Sequence, residues 1–138
     1  MHRLILDTNV FISSVLGRSY PYFVVHDLIL HGKVKPYLSH EIIEEYEKVI
    51  GYEKFKTIRN FIPDANIILR GIKKQAVNAE PLIRVDLLKD KSDNKFLDLA
   101  ITASVDFLIT GNHKHFPFER IENTEIISPE KYWNTYWK

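Results

Sequence analysis

Acidic side chains of the kind that bind hard divalent cations stand at separate points of this sequence, each beside a predicted helix or strand. Asp7 follows the apolar run 4–6, and Asp93 precedes an apolar helical stripe. Between them, Glu45 and Glu47 lie on an amphipathic helix. Mg²⁺ prefers oxygen ligands, keeps several waters and often completes its shell with substrate phosphate. A cation held in this way can orient a water for attack on phosphorus, so these residue types predict hydrolysis of a phosphate ester.

The first of these acids, Asp7, lies where a predicted strand passes into a predicted helix. Leu4, Ile5 and Leu6 form a run that suits a strand covered on both faces. Asp7 would then stand at the carboxyl end of a central strand, where ligands bind in open α/β sheets. The alternative is that Asp7 caps the helix, although Thr8 and Asn9 are also available for capping.

Predicted strands alternate with predicted helices along the rest of the chain. The further strands are predicted at 35–38, 81–85, 106–110 and 125–127. This alternation predicts an α/β fold with three α/β/α layers and a central parallel sheet of about five strands, in the order 3-2-1-4-5. In that order the strands leading to Asp7 and Asn112 are neighbours. The crevice at their carboxyl ends is where α/β proteins of this kind bind ligands. We expect residues 1–138 to form a single domain.

Asp93 heads the core-facing side of its predicted helix. Apolar residues follow it at helical spacing: Phe96, Leu97, Ala100 and Ile101. Asp98, on the same helix, falls about 140° away and is predicted to face water. Asp93 could also serve as the helix N-cap, a role compatible with cation binding.

Helical periodicity leaves two candidates on the helix that follows Ser39. Glu45 and Glu47 each lie about 100° from the centre of the apolar stripe, on opposite edges of it. Periodicity therefore does not decide between them. For either residue, the alternative is an ordinary solvated helix face.

Composition excludes several classes of site. The chain has no cysteine, which excludes disulfides, thiolate zinc sites and cysteine nucleophiles. A formal net charge of +1 argues against holding nucleic acid by bulk charge, but it leaves room for a local basic patch. We expect a cytoplasmic protein with no membrane partner, because no apolar stretch approaches the roughly 20 residues of a membrane span and no signal peptide is evident.

Basic side chains near the predicted crevice are candidates for contact with an RNA backbone. They are Lys95, His113 and Lys114. His113 and His115 together could bind a transition metal. A phosphate-contacting loop or an ordinary surface loop is the favoured interpretation of that pair.

Four segments, taken in order, carry a resemblance to a known family: Leu6–Val10, Ser39–Ile50, Asp93–Ala100 and Phe107–Asn112. The set resembles the PIN-domain family of metal-dependent ribonucleases, many of which are toxins of type II toxin–antitoxin systems. The segments span nearly the whole chain, whereas a single one, such as Asp7-Thr8-Asn9, would be a weak signal.

The resemblance implies roles for individual residues. Asp7, Glu45 and Asp93 match the acidic catalytic and metal-binding positions of the family, which selects Glu45 over Glu47. Asn112 stands where many members carry a fourth acid; its amide oxygen can ligate a cation but adds no charge.

The resemblance also implies that Thr8, Asn9 and Thr110 hold the acids in place. It implies Mg²⁺ or Mn²⁺ as the cofactor, RNA as the substrate, a cognate antitoxin protein as a partner, and a homodimer. The alternative is a catalytically weak or inactive PIN-like module that binds RNA or an antitoxin, and Asn112 is the residue that favours it.

Overall fold

The computed structural model describes residues 1–138, and its centre is a mostly parallel sheet in the order β3-β2-β1-β4-β6-β5. The strands are β1 (Arg3–Leu6), β2 (Lys35–Leu38), β3 (Val77–Asn78), β4 (Phe107–Ile109), β5 (Arg120–Ile121) and β6 (Thr124–Ile127). All neighbours pair in parallel except β5 and β6. The predicted α/β fold with a central parallel sheet is confirmed.

Helices flank this sheet. They are α1 (Thr8–Leu16), α2 (Tyr20–Tyr22), α3 (His40–Ile50), α4 (Glu53–Lys56), α5 (Phe61–Gln75), α6 (Asn94–Ala103) and α7 (Pro129–Tyr136). A π-helical segment (Phe23–Ile29) continues α2, and a 3₁₀ turn (Lys91–Asp93) leads into α6. The first helix, α1, packs against α2, α3 and α5, and α6 packs against β4 and α3. None of these helices combines the length and the apolar character needed to cross a bilayer.

The two central strands end level with one another. Leu6 of β1 pairs with Ile109 of β4, and both are buried. One residue further on, the Asp7 N–H donates to the Ile109 carbonyl oxygen at 2.9 Å. This register brings Asp7 and Thr110 side by side at the carboxyl end of the sheet.

The third strand is not where the sequence pattern predicts it. The structure has β3 at Val77–Asn78 and a loop at 81–85. In that loop the Leu82 N–H donates to the Thr102 hydroxyl at 3.0 Å, and the Val85 N–H donates to the Asp98 carboxylate at 2.7 Å. The backbone donors that a strand would use therefore go to side chains of α6. The added edge strand β5, antiparallel to β6, is also absent from the prediction.

The prediction that Asp98 faces water is wrong, because only 3% of this residue is exposed. The loop before α6 folds back over that side of the helix, and Asp98 accepts hydrogen bonds from the Val85 N–H at 2.7 Å and the Arg84 guanidinium at 3.4 Å. Helical periodicity detects the face that packs on the sheet, and it does not detect a face covered by a loop.

Candidate metal centre

Asp7 extends from the end of β1 and is 4% exposed. Although it occupies the N-cap position of α1, its side chain makes no capping hydrogen bond. Instead, its Oδ2 accepts a hydrogen bond of 2.7 Å from the hydroxyl of Thr110, which is fully buried. The same hydroxyl accepts the Asn112 N–H at 3.1 Å. Thr110 therefore fixes both the Asp7 carboxylate and the start of the loop after β4.

Glu45 faces this carboxylate from α3, whereas Glu47 points outward. Glu45 Oε2 accepts a hydrogen bond from the Thr8 hydroxyl, and Oε1 pairs with the Lys95 ammonium. The Glu45 side chain is 17% exposed, compared with 56% for Glu47, which pairs with Lys73. The geometry thus separates two glutamates that helical periodicity leaves equivalent.

A tyrosine at the centre of the α3 apolar stripe positions the helix. The Tyr46 hydroxyl donates a hydrogen bond of 2.6 Å to the Leu6 carbonyl oxygen. Its ring stacks on Phe11 with the ring centres 4.8 Å apart. Tyr46 is 1% exposed, so α3 is held against β1 and α1 by a buried polar contact as well as by packing. The sequence analysis does not single out this role, for which the only signal is a hydroxyl inside an apolar stripe.

Asp93 enters the same region from the 3₁₀ turn before α6, and it is 7% exposed. Asp93 occupies the N-cap position of α6, as one interpretation of the sequence has it, but its backbone is helical and its side chain makes no capping hydrogen bond. Asp90 caps the preceding turn instead, accepting the Ser92 N–H at 3.0 Å. The buried Oδ2 of Asp93 has no hydrogen-bond partner, although His115 Nδ1 lies 3.0 Å away.

Negative charge is crowded at this site. Burial raises the pKa of Asp7, and the charge of Glu45 adds to that effect. Burial, followed by the charges of Asp7 and Asp90, raises the pKa of Asp93 to about 6. Buried carboxylates that repel one another are relieved by a cation, which favours their ionised forms. The orphaned Asp93 oxygen and this charge crowding both fit a divalent cation held by oxygen ligands.

Three residues predicted for this site line two further cavities: Asn9, Asn112 and His113. Asn9 and Asn112 line a separate cavity of about 290 Å³ with Ser13 and Pro21. Neither asparagine side chain donates to, or accepts from, the three acids described above. His113 lines another cavity of about 320 Å³ with Glu119 and Arg120, and Lys114 is exposed.

Lys95, a predicted RNA contact, lies beside the acids of the site. Its ammonium pairs with Glu45, and only 16% of its side chain is exposed. A cavity of about 390 Å³ opens beside this pair and is lined by the following residues: Glu41, Glu44, Glu45, Lys48, Tyr52, Ser92 and Lys95. Lys95 is thus part of the acidic site and also reaches a surface where a phosphate group could enter.

Two residues near Asp93 complete a group of possible ligands: Asp90, which the sequence analysis does not name, and His115, which it names only as a less favoured partner of His113. Ligand atoms of Asp90, Asp93 and His115 lie within 4.8 Å of one another. The i, i+3 spacing of Asp90 and Asp93 is a signal that sequence reasoning could have used. His115 reaches Asp93 only because the loop after β4 turns back, and that turn leaves no sequence signal beyond the pair His113 and His115.

Comparison with known proteins adds a family match and a shared fold. A family model described as "PIN domain" matches residues 3–114. An uncharacterized protein of Methanocaldococcus jannaschii is 28% identical over 114 residues, which is 80% of this chain and 70% of that protein.

Solved structures of other proteins share this fold. The structure of the PIN domain endonuclease Utp24 superposes with a TM-score of 0.55 at 20% identity, covering 91% of this chain and 84% of that one. VapBC2 from Rickettsia felis, solved bound to a DNA fragment from its promoter, gives a TM-score of 0.57 at 15% identity, covering 91% and 98%. At these identities the structural likeness concerns the fold.

Proposed function

Because this chain belongs to the PIN-domain family, we propose that it is a divalent-metal-dependent ribonuclease that hydrolyses RNA phosphodiester bonds. One observation supports the proposal: Asp7, Glu45 and Asp93, far apart in sequence, lie near enough to one another that the charges of Asp7 and Glu45 help to raise the pKa of Asp93. Asp7 lies at the carboxyl end of β1, the edge at which open α/β sheets bind their ligands. Mg²⁺ or Mn²⁺ is the proposed cofactor, since both suit carboxylate ligands.

The side chains of the site have distinct tasks in this proposal. Asp7, Glu45 and Asp93 bind the cation, which when bound supplies charge neutralisation at the phosphate and activation of water. Thr110 holds Asp7 through its 2.7 Å hydrogen bond, and Thr8 holds Glu45. Fixed carboxylates keep the reacting groups aligned, which is where much of the rate gain of such a site arises.

RNA would approach over the cavity beside Glu45. Two lysines, Lys48 and Lys95, line this cavity of about 390 Å³ together with Ser92, which can donate a hydrogen bond, and with the carboxylates of Glu41, Glu44 and Glu45. Lysine side chains bind backbone phosphates irrespective of sequence. The Lys95 ammonium pairs with Glu45, and the Lys95 side chain also lines the cavity.

A cleavage assay tests this function. The purified chain should cut 5′-labelled single-stranded RNA with Mg²⁺ or Mn²⁺ and stop cutting when EDTA is added. Asp7→Asn and Asp93→Asn, which keep side-chain size but remove charge, should each reduce the rate by about a hundredfold or more. Asp64→Asn is the matched control, because Asp64 is an exposed acid on α5. An Asp7→Asn protein that cuts as fast as the wild type would contradict the assignment.

A toxin role in a toxin–antitoxin pair is the biological setting that we propose. Its motivation is the resemblance of the four sequence segments to PIN-family toxins, and the chain shares its fold with VapBC2 from Rickettsia felis. Induced expression in a bacterial host should then arrest growth, and Asp7→Asn should restore it. The cognate antitoxin would be a separate protein that relieves the arrest when coexpressed. The proposed homodimer is tested by light scattering, which would give a mass of twice 16.2 kDa.

A binding module without catalysis is the second candidate. Two observations favour it: Asn112 is an amide at the chain position where many PIN-domain members carry an acid, and the Lys95 ammonium already pairs with Glu45. Such a module would slow the migration of RNA in a native gel without cleaving it. In calorimetry it would take up no Mn²⁺, or take it up equally well with Asp93→Ala.

A further inference from the structure

The loop that follows β4 returns one imidazole to the acidic site. His115 donates its backbone N–H to the Asn112 carbonyl oxygen at 3.2 Å, closing a turn. Its Nδ1 then lies 3.0 Å from Asp93 Oδ2. The His115 side chain is 42% exposed and that of Asp93 is 10% exposed, so the contact lies at the mouth of the site.

The contact between these two atoms does not have the geometry of a hydrogen bond. Asp93 Oδ2 is buried and has no hydrogen-bond partner, even though a ring nitrogen lies 3.0 Å away. Two ligands at right angles around an ion, each about 2.1 Å from it, are separated by about 3 Å. The spacing of the nitrogen and the oxygen suits an ion pair when His115 is protonated, and it also suits neighbouring ligands of one ion when His115 is neutral.

The surroundings of this pair also suit a cation. The carboxylate of Asp90 belongs to the same group, in which all ligand atoms lie within 4.8 Å of one another. Asp7 is close enough to His115 for their charges to interact. Asn112, the residue expected to complete the metal shell, lines a different cavity with Asn9.

We infer that His115 is a nitrogen ligand of the cation that Asp93 binds, and that it gives the site a preference for a transition-metal ion such as Mn²⁺ over Mg²⁺. The inference rests on the proposed function, because it assumes that Asp93 binds a cation. Mg²⁺ is bound mainly through oxygen, whereas imidazole nitrogen favours transition metals. A mixed nitrogen and oxygen shell therefore selects between ions that an all-carboxylate shell would accept about equally.

Mn²⁺ is the probe for this inference, because pulsed electron paramagnetic resonance detects nitrogen bonded to it. The wild-type protein with one equivalent of Mn²⁺ should show electron spin-echo modulation from ¹⁴N. His115→Ala should lose this modulation, and His113→Ala, its matched control two residues away, should keep it. In calorimetry His115→Ala should weaken Mn²⁺ binding by about tenfold or more and change Mg²⁺ binding much less.

The outcomes separate this inference from the proposed function. Mn²⁺ uptake that requires Asp7 and Asp93 but shows no ¹⁴N modulation overturns the role of His115 and leaves the ribonuclease proposal standing. Modulation that survives in His115→Ala also overturns it. Absence of any Mn²⁺ uptake by the wild type overturns both. Thermal unfolding of the two alanine variants should match the wild type without metal, since both histidines have exposed side chains.

Discussion

The hydroxyl of Tyr46 donates a 2.6 Å hydrogen bond to the carbonyl oxygen of Leu6, joining α3 to the last residue of β1. Tyr46 is the chain neighbour of Glu45, and Leu6 is the chain neighbour of Asp7. One buried hydrogen bond therefore sets the separation of two acids that lie on different elements. The hydrogen bond from the Thr8 hydroxyl to Glu45 is a second link between α3 and the chain just after β1.

Removal of this hydrogen bond should loosen the site before it unfolds the protein. Tyr46→Phe keeps the ring stack on Phe11 but leaves the buried Leu6 carbonyl oxygen without its donor, which should lower the free energy of unfolding by about 1–3 kcal/mol. Mn²⁺ affinity should fall several-fold, because Glu45 is no longer held against Asp7. Urea unfolding and calorimetry measure the two effects. Tyr20→Phe is the control, because the Tyr20 hydroxyl makes no hydrogen bond in the structure, and it should change neither quantity. Unchanged Mn²⁺ affinity in Tyr46→Phe would refute the positioning role of Tyr46.

The raised pKa of Asp93, about 6, predicts how stability depends on pH without metal. The pKa is higher in the folded chain than its usual value of 3.8, so the folded state binds the proton more tightly. The stabilisation from Asp93 is therefore complete below about pH 4 and is lost as the pH rises through about 6. Asp93→Asn stays neutral and should become more stable relative to the wild type over that interval.

Urea unfolding of both proteins in EDTA, from pH 4 to pH 8, measures this difference. Added Mn²⁺ should stabilise the wild type much more at pH 7.5 than at pH 5, because protons compete for the carboxylates. Asp64→Asn, at an exposed position, should show no pH-dependent difference from the wild type. A constant difference between Asp93→Asn and wild type across the range would contradict the coupling of Asp93 to the other acids.

The parts of the fold that the sequence predicts are those determined by local pattern. The apolar run before Asp7 predicts a buried strand ending at that residue, and the structure has β1 at Arg3–Leu6. The stripe after Asp93 likewise predicts the helix that the structure has as α6. In both segments the residues that are buried in the core recur with the period of the strand or the helix, so the pattern can be seen in the sequence.

The parts that the sequence does not predict depend on contacts between distant residues. Val85 looks like a strand residue, but its N–H is taken by Asp98 on α6. His115 looks like a surface residue, but a turn brings it to Asp93. Glu45 differs from Glu47 only through Thr8 and Lys95, partners on other elements. Periodicity along one helix carries no information about these partners.

Lys95 should influence metal binding and RNA binding in opposite directions. Its ammonium pairs with Glu45 in a half-buried position, where it competes with a divalent cation for the same carboxylate. Lys95→Gln should therefore strengthen Mn²⁺ binding several-fold and weaken RNA binding, with a smaller dependence of RNA affinity on salt. Calorimetry and RNA-binding titrations at two salt concentrations measure the two effects.

Lys74→Gln is the matched control for this substitution, because Lys74 is an exposed lysine at the end of α5. It should alter neither measurement beyond a small change in RNA affinity. If Mn²⁺ binding weakens in Lys95→Gln, Lys95 supports the cation site and does not compete with it.

Asp98 is a buried acid whose role should be structural, in contrast to the acids of the metal centre. It accepts the Val85 N–H at 2.7 Å and the Arg84 guanidinium at 3.4 Å, holding the loop before α6. Asp98→Ala removes both acceptors and should lower the free energy of unfolding by about 1–3 kcal/mol. Asp98→Asn keeps an acceptor for Val85 and should have the smaller effect.

Hydrogen exchange of the Val85 amide reports the loop directly, and it should accelerate strongly in Asp98→Ala and weakly in Asp98→Asn. Mn²⁺ affinity should stay within about twofold of wild type in both, because Asp98 bonds to the loop and makes no contact with Asp7, Glu45 or Asp93. Asp86→Ala, at an exposed residue of the same loop, controls for a general change in charge. A large loss of Mn²⁺ affinity in Asp98→Asn would mean that the loop, held by this buried carboxylate, supports the metal centre through Lys91–Asp93.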